Sequence, residues 1–115
     1  MKLALLLIAA LFGASGCAGP GNVAAPEAPL DPQLVSTGRD VAVIRCSRCH
    51  GLGDLAQSPN PSAPPMVELL KRYDAEMLAS DLIDGIRVGH DEMPEFDLQV
   101  IEADALVAYL KSLQR

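Results

Sequence analysis

Apolar and polar positions divide the chain into three regimes. Leu3 to Phe12 is an unbroken apolar run, and residues 18–33 have no period at all. From Leu34 onward helical spacing takes over. Val35, Gly38, Val41, Ala42 and Ile44 recur at three- and four-residue intervals, which predicts a first helix over about 33–48. Residues 51–65 interrupt it with two Gly, four Pro, Asn60 and two Ser, a loop composition. A short helix is expected at 66–73. Asp74 is the N-cap expected for a third helix through Leu78, Leu82, Ile83 and Ile86, ending near Gly89. The last helix, about 99–114, carries Ile101, Ala105, Leu106, Ala108, Tyr109, Leu110 and Leu113 on one stripe. No segment alternates with the two-residue period of a strand, and no internal repeat is visible. The pattern predicts an all-α domain.

The first regime reads as an export signal. Lys2 is the one charge in the first 26 residues, and small residues follow the apolar run at Gly13-Ala14-Ser15-Gly16. The run is too short for a stable membrane span and has the layout of a cleaved secretory peptide, residues 1–16. Ala14-Ser15-Gly16-Cys17 is similar to a bacterial lipoprotein box, with Ala where Leu is usual. Ordinary cleavage after Ala18 is the other reading. Cysteine arithmetic favours a lipid on Cys17, because the two remaining cysteines share another role. Residues 17–33, with Pro20, Pro26, Pro29 and Pro32, then form a tether, and 34–115 form one domain. The expected address is the periplasm, with membrane attachment only through that lipid.

Removing residues 1–16 leaves 99, enough for one small domain. With no Trp, two Tyr and two Phe, large side chains for a core are scarce. Such a domain buries roughly two-thirds of its unfolded surface, so an added apolar body would help it fold. The formal charge is −6, and −7 once Lys2 is gone, which disfavours nucleic acid as a partner.

The chemistry sits at Cys46-Ser47-Arg48-Cys49-His50. Residues three and four apart share one face of a helix, so both thiols and the imidazole can meet one flat ligand. This spacing is a c-type haem attachment motif: Cys46 and Cys49 bond the haem covalently and His50 binds iron. A thiol–disulfide exchange site would open a helix after a strand, whereas these cysteines are expected to close one. A zinc site needs further ligands, and the one other histidine is His90. For the sixth iron position Met93 leads, because Pro94 biases it toward extended backbone and thioether sulfur is a soft ligand. His90 is the alternative, read otherwise as a solvated surface residue. Met66 and Met77 fit core positions on helices.

These residues resemble the class I c-type cytochromes over about 34–113. Gly38, eight residues before Cys46, is similar to the glycine that lets the first helix of that family cross an aromatic residue of the last, here Tyr109. Ala63-Pro64-Pro65-Met66 resembles the segment whose proline carbonyl accepts a hydrogen bond from the haem-binding histidine. Pro64 is the candidate, with Pro59, Pro61 and Pro65 competing, and Gly-Pro is usual where Ala63-Pro64 stands. Met93-Pro94 with Phe96 looks like the methionine-ligand segment.

The resemblance implies a cytochrome c fold of three to four helices wrapped around one haem c, and an electron carrier rather than an enzyme. A mobile or lipid-tethered carrier and the haem subunit of a periplasmic dehydrogenase are its two forms. A ligand-binding or sensing haem protein, or a peroxidase, is the alternative and needs an open or displaceable sixth position. Between Tyr73 and Asp104 ten acidic residues face one base, Arg87, so redox partners with a basic docking face are expected.

Overall fold

The computed structural model describes residues 27–54 and 56–115. The expectations for the signal sequence, for Cys17 and for the tether up to Pro26 lie outside these residues. Four helices and no strand occur among the described residues: α1 (Pro32–Arg45), α2 (Met66–Leu69), α3 (Ala75–Ile83) and α4 (Val100–Ser112). The all-α expectation holds. None of the described helices is long and apolar enough to cross a membrane.

Helix α1 starts at Pro32, inside the stretch read as tether. Asp31 caps it, its carboxylate accepting from the Gln33 N–H at 2.9 Å, and Pro32 takes the first helical position, where a missing N–H costs nothing. The helix ends at Arg45, short of the expected Arg48. Cys46 is its C-cap, and the chain continues in turns, with Cys49 and His50 N–H groups both donating to the Cys46 carbonyl at 3.1 and 2.9 Å. The cysteines therefore occupy a helical turn attached to the helix rather than the helix itself.

Helix α2 is a single turn that loosens into turns at Leu70, whereas a helix to Tyr73 was expected. Asp74 does cap α3, accepting from the Glu76 and Met77 N–H groups at 3.0 Å each. That helix stops at Ile83, short of the expected Gly89. Gly85 adopts φ +71, and the Ile86 N–H closes back on the Asp81 carbonyl at 2.8 Å, a helix-ending pair of features. At α4, the Glu102 carboxylate accepts from the Gln99 N–H at 2.9 Å and satisfies a donor that the helix cannot.

Packing follows the periods in part. Gly38, Val41 and Ala42 of α1 and Ala103, Ala105, Leu106, Ala108, Tyr109 and Leu110 of α4 are buried. Three residues assigned to the core are not in it: Ile44 is 76% exposed, Ile101 62% and Met77 67%. Each lies on its helix outside the strip that a neighbour covers. Met66, by contrast, is 1% exposed at the centre.

Helices α1 and α4 make the most extensive contact, and they cross at Gly38. A Cβ on Gly38 would overlap the Ala105 carbonyl and sit 2.9 Å from the Tyr109 Cβ, so the backbones approach as closely as they do because no side chain intervenes. The expected pairing of Gly38 with Tyr109 is thus present. The Tyr109 hydroxyl then accepts from the Gly53 N–H at 2.9 Å, tying α4 to the loop after His50. Gly38→Ala should force the helices apart and cost about 3 kcal/mol, the upper part of the usual overpacking range. Urea unfolding should place its midpoint well below that of the unmodified protein at similar m; an unchanged midpoint would refute the crossing.

Candidate functional site

A cavity of about 390 Å³ lies between the turn after α1, α3, α4 and the loop that follows α3. Its floor is apolar, with Met66, Leu82, Leu106 and Leu110 all buried. Cys46, Cys49, His50, Pro64 and Met93 all line it, although they come from three separate stretches of sequence.

His50 is 7% exposed and its Nδ1 lies 2.6 Å from the Pro64 carbonyl oxygen. A carbonyl oxygen can only accept, so Nδ1 carries the proton and donates. In the tautomer that this bond selects, the other nitrogen, Nε2, keeps its lone pair. Nε2 has no hydrogen-bond partner among the described residues, and no fully buried side-chain nitrogen or oxygen there is left without one, so Nε2 opens onto accessible space. A ring held in one tautomer by a backbone carbonyl is the usual state of a metal-binding histidine.

Several backbone groups of the loop over 51–65 are paired among the described residues. The Met66 N–H donates to the Gly51 carbonyl at 2.9 Å, closing the loop at its base. The Asn60 N–H donates to the Cys49 carbonyl at 3.2 Å, and the Gly51 N–H to the Ser58 hydroxyl at 3.0 Å. These bonds tie the irregular segment to the turn that carries Cys49 and to its own far end.

Met93 is half-buried in the loop after α3, where its N–H donates to the His90 carbonyl at 2.8 Å. Arg87 closes that loop on itself, donating to the Asp91 carbonyl and to the Glu95 carboxylate, each at 3.1 Å. A longer contact, 3.5 Å from Asn60 Nδ2 to Glu92 Oε2, joins the two loops at the rim. His90 is exposed, and its Nδ1 accepts from the Glu92 N–H at 3.2 Å, as suits a surface histidine.

The alternatives to haem fit these groups poorly. Cys46 and Cys49 are not joined by a disulfide, and burial pushes the Cys46 thiol up to about 11 despite the opposing pull of Arg45. An exchange cysteine needs the reverse, a thiol pulled down into the neutral range. Among the described residues no three His, Cys, Asp or Glu side chains are placed to hold a metal ion, which removes support for zinc. Two thiols, an imidazole with a free Nε2 and a thioether around an apolar hollow make the donor set that a c-type haem requires.

Arg45, Arg72 and Tyr73 also line the cavity, and no reading of the sequence singled them out. Local pattern carries no signal for them, because their place on the wall depends on how α1 and the turn after α2 are set against α4.

Comparison with sequence models of protein families returns the family described as cytochrome C oxidase, cbb3-type, subunit III, matched over residues 33–110. No curated protein and no solved structure matches the chain. The match spans most of the sequence, and the chain belongs to that family. It is a class I c-type cytochrome, with the cytochrome c fold and haem-based electron transfer as its work.

Proposed function

We propose that the chain is an exported electron carrier in which Cys46 and Cys49 hold haem c through thioether bonds and His50 and Met93 bind its iron. The observation that carries this reading is the meeting of all four side chains on one apolar cavity, with the His50 Nδ1 proton given to Pro64 so that Nε2 is free. The haem, when bound, supplies one-electron exchange between ferric and ferrous iron. The chain's part is to hold the ligands still through that exchange. Pro64 fixes the imidazole plane, and Arg87 braces the methionine loop through Asp91 and Glu95. The apolar floor keeps water from the metal.

Residues 1–16 act as the signal, Cys17 carries lipid, and a tether leads to a domain that starts at the Asp31-Pro32 cap. The protein then works in the periplasm on a short membrane leash. The family's description, a subunit of an oxidase, favours the form of this reading in which the chain is a resident haem subunit of a larger oxidoreductase. Its partner meets an acidic rim: Asp91, Glu92 and Glu95 are exposed around Met93, and only Glu95 has an arginine. A partner with a basic docking face suits it.

The haem assignment is tested by acidic organic extraction of the unfolded protein, which should leave the pigment attached; pigment that extracts freely refutes it. Met93→Ala should lose the far-red sulfur-to-iron band, admit carbon monoxide quickly and lower the potential, each ~59 mV corresponding to about 1.4 kcal/mol for one electron. Fast carbon monoxide binding by the unmodified protein would instead favour a sensor or peroxidase. Intact mass of protein from the native membrane should show diacylglycerol and fatty acid on Cys17, whereas a mature terminus at Gly19 without lipid excludes the anchor. Electron transfer to a partner from the same envelope should slow steeply between low and physiological salt. A rate indifferent to salt would point to apolar docking.

A further inference from the structure

The segment that carries Met93 is held by few bonds of its own backbone. From Arg87 to Asp97 the one backbone-to-backbone hydrogen bond among the described residues runs from the Met93 N–H to the His90 carbonyl. Bonds at the base fix the two ends: the Ile86 N–H donates to the Asp81 carbonyl at 2.8 Å, and the Leu98 N–H to the Leu82 carbonyl at 3.1 Å. Inside that frame a single side chain holds the middle. Arg87 donates through Nη1 to the Asp91 carbonyl and through Nη2 to the Glu95 carboxylate, each at 3.1 Å. Asp91 stands two residues before Met93 and Glu95 two after, so one planar group spans the methionine from both sides.

We propose that Arg87 is a clip that keeps Met93 on the haem iron, so that exogenous ligands enter only when the clip opens and the site stays an electron carrier. The inference rests on the assignment of Met93 as the sixth ligand. Both side chains of the ion pair are exposed, 45% for Arg87 and 61% for Glu95, so the clip adds little to the stability of the whole domain. Its effect is local. Opening of a loop is an equilibrium separate from unfolding, and its population is set by the bonds that the loop alone would lose. A guanidinium suits the task, because its donors lie in one rigid plane and reach a carbonyl and a carboxylate together. The compact ammonium of a lysine keeps the charge without that fork. Arg87 is therefore a positioning residue, acting on the iron through the backbone on either side of Met93.

Ligand entry reads the clip directly. Before carbon monoxide can bind ferrous iron, the bond from the Met93 sulfur must break; the bond from carbon then forms, and the metal gains or loses no electron. The observed rate scales with the fraction of time that the methionine is off the metal. Losing both Arg87 bonds should raise that rate about tenfold. Losing the Glu95 bond alone should raise it less. A double variant, Arg87→Gln with Glu95→Ala, should be no faster than Arg87→Gln, since the bond they share is already gone.

The experiment is stopped-flow binding of carbon monoxide to the full-length, haem-loaded ferrous protein and to Arg87→Gln, Arg87→Lys, Glu95→Ala and Met93→Ala. Urea midpoints and the ferric sulfur-to-iron band are measured on the same preparations at neutral pH. The unmodified protein should bind slowly and Met93→Ala fastest. Arg87→Gln should be faster than the unmodified protein by the factor above, with its midpoint nearly unchanged and its sulfur band retained. Arg87→Lys should bind nearly as fast as Arg87→Gln, although its charge is kept. Slow binding by Arg87→Lys beside fast binding by Arg87→Gln shows a charge acting at a distance and overturns the clip. A rate that rises only in step with a falling urea midpoint assigns Arg87 to general stability and overturns it too. If Arg87→Gln gives no pigmented protein, Arg87→Lys and Glu95→Ala carry the comparison, and unmodified rates in both overturn the proposal. Unmodified protein that binds as fast as Met93→Ala overturns the sixth-ligand reading together with the clip. Slow binding by every variant except Met93→Ala leaves that reading standing and removes Arg87 alone.

Discussion

The close approach of α1 to α4 at Gly38 is the constraint on which the remaining structure depends. The carbonyl of Ala105 occupies the space a side chain on Gly38 would need. This fixes the direction in which α1 runs, and with it the point at which Cys46 leaves the helix. The ion pair between Arg45 and Glu102 bridges the same two helices further along, but both side chains are partly exposed and such pairs contribute ~0–1 kcal/mol. Contact of backbone with backbone, not charge, sets the geometry.

From that crossing the site is assembled by hydrogen bonds rather than by bulk. Cys46 offers one carbonyl to both Cys49 and His50, which tightens the turn that carries the two thiols and the imidazole. Tyr109 reaches from α4 to Gly53, and Pro64 reaches back to His50, so the loop over 51–65 is pinned near both of its ends. A small domain with two Tyr, one Phe and no Trp could not build this by packing large side chains alone. Fixed ligands also suit one-electron chemistry, since rearrangement on each exchange would add to its barrier.

Sequence reading succeeds where the determinant is local or carries a fixed spacing. The Asp74 cap is of that kind, whereas the pairing of Gly38 with Tyr109 joins the two ends of the domain and is implied only by the resemblance to class I cytochromes. The Pro64 carbonyl is one choice among four prolines, and only the path of the loop singles it out. Helix ends are legible where a cap has a side-chain signature and not where backbone geometry decides: α1 stops because Cys46 turns, and α3 because Gly85 does. Periodicity marks an apolar face without saying how much of it a neighbour covers, which is why Ile44, Ile101 and Met77 fall outside the core expected of them. Arg72 and Tyr73 are invisible for a related reason, because wall positions depend on tertiary placement.

The arrangement of charge around the cavity follows from the need to hold two oxidation states. Ferric and ferrous forms differ by one positive charge, so every nearby fixed charge favours one form over the other. Arginines on the wall favour ferrous iron, and a carboxylate there favours ferric. Glu92 is the single carboxylate on that wall, and Asn60 approaches it from the facing loop. Most of the remaining acid lies outside the cavity, where solvent and salt weaken its effect on the metal yet leave it able to meet an approaching protein. With most of the acid outside and two arginines on the wall, the charge nearest the cavity is positive on balance, the reverse of the chain as a whole.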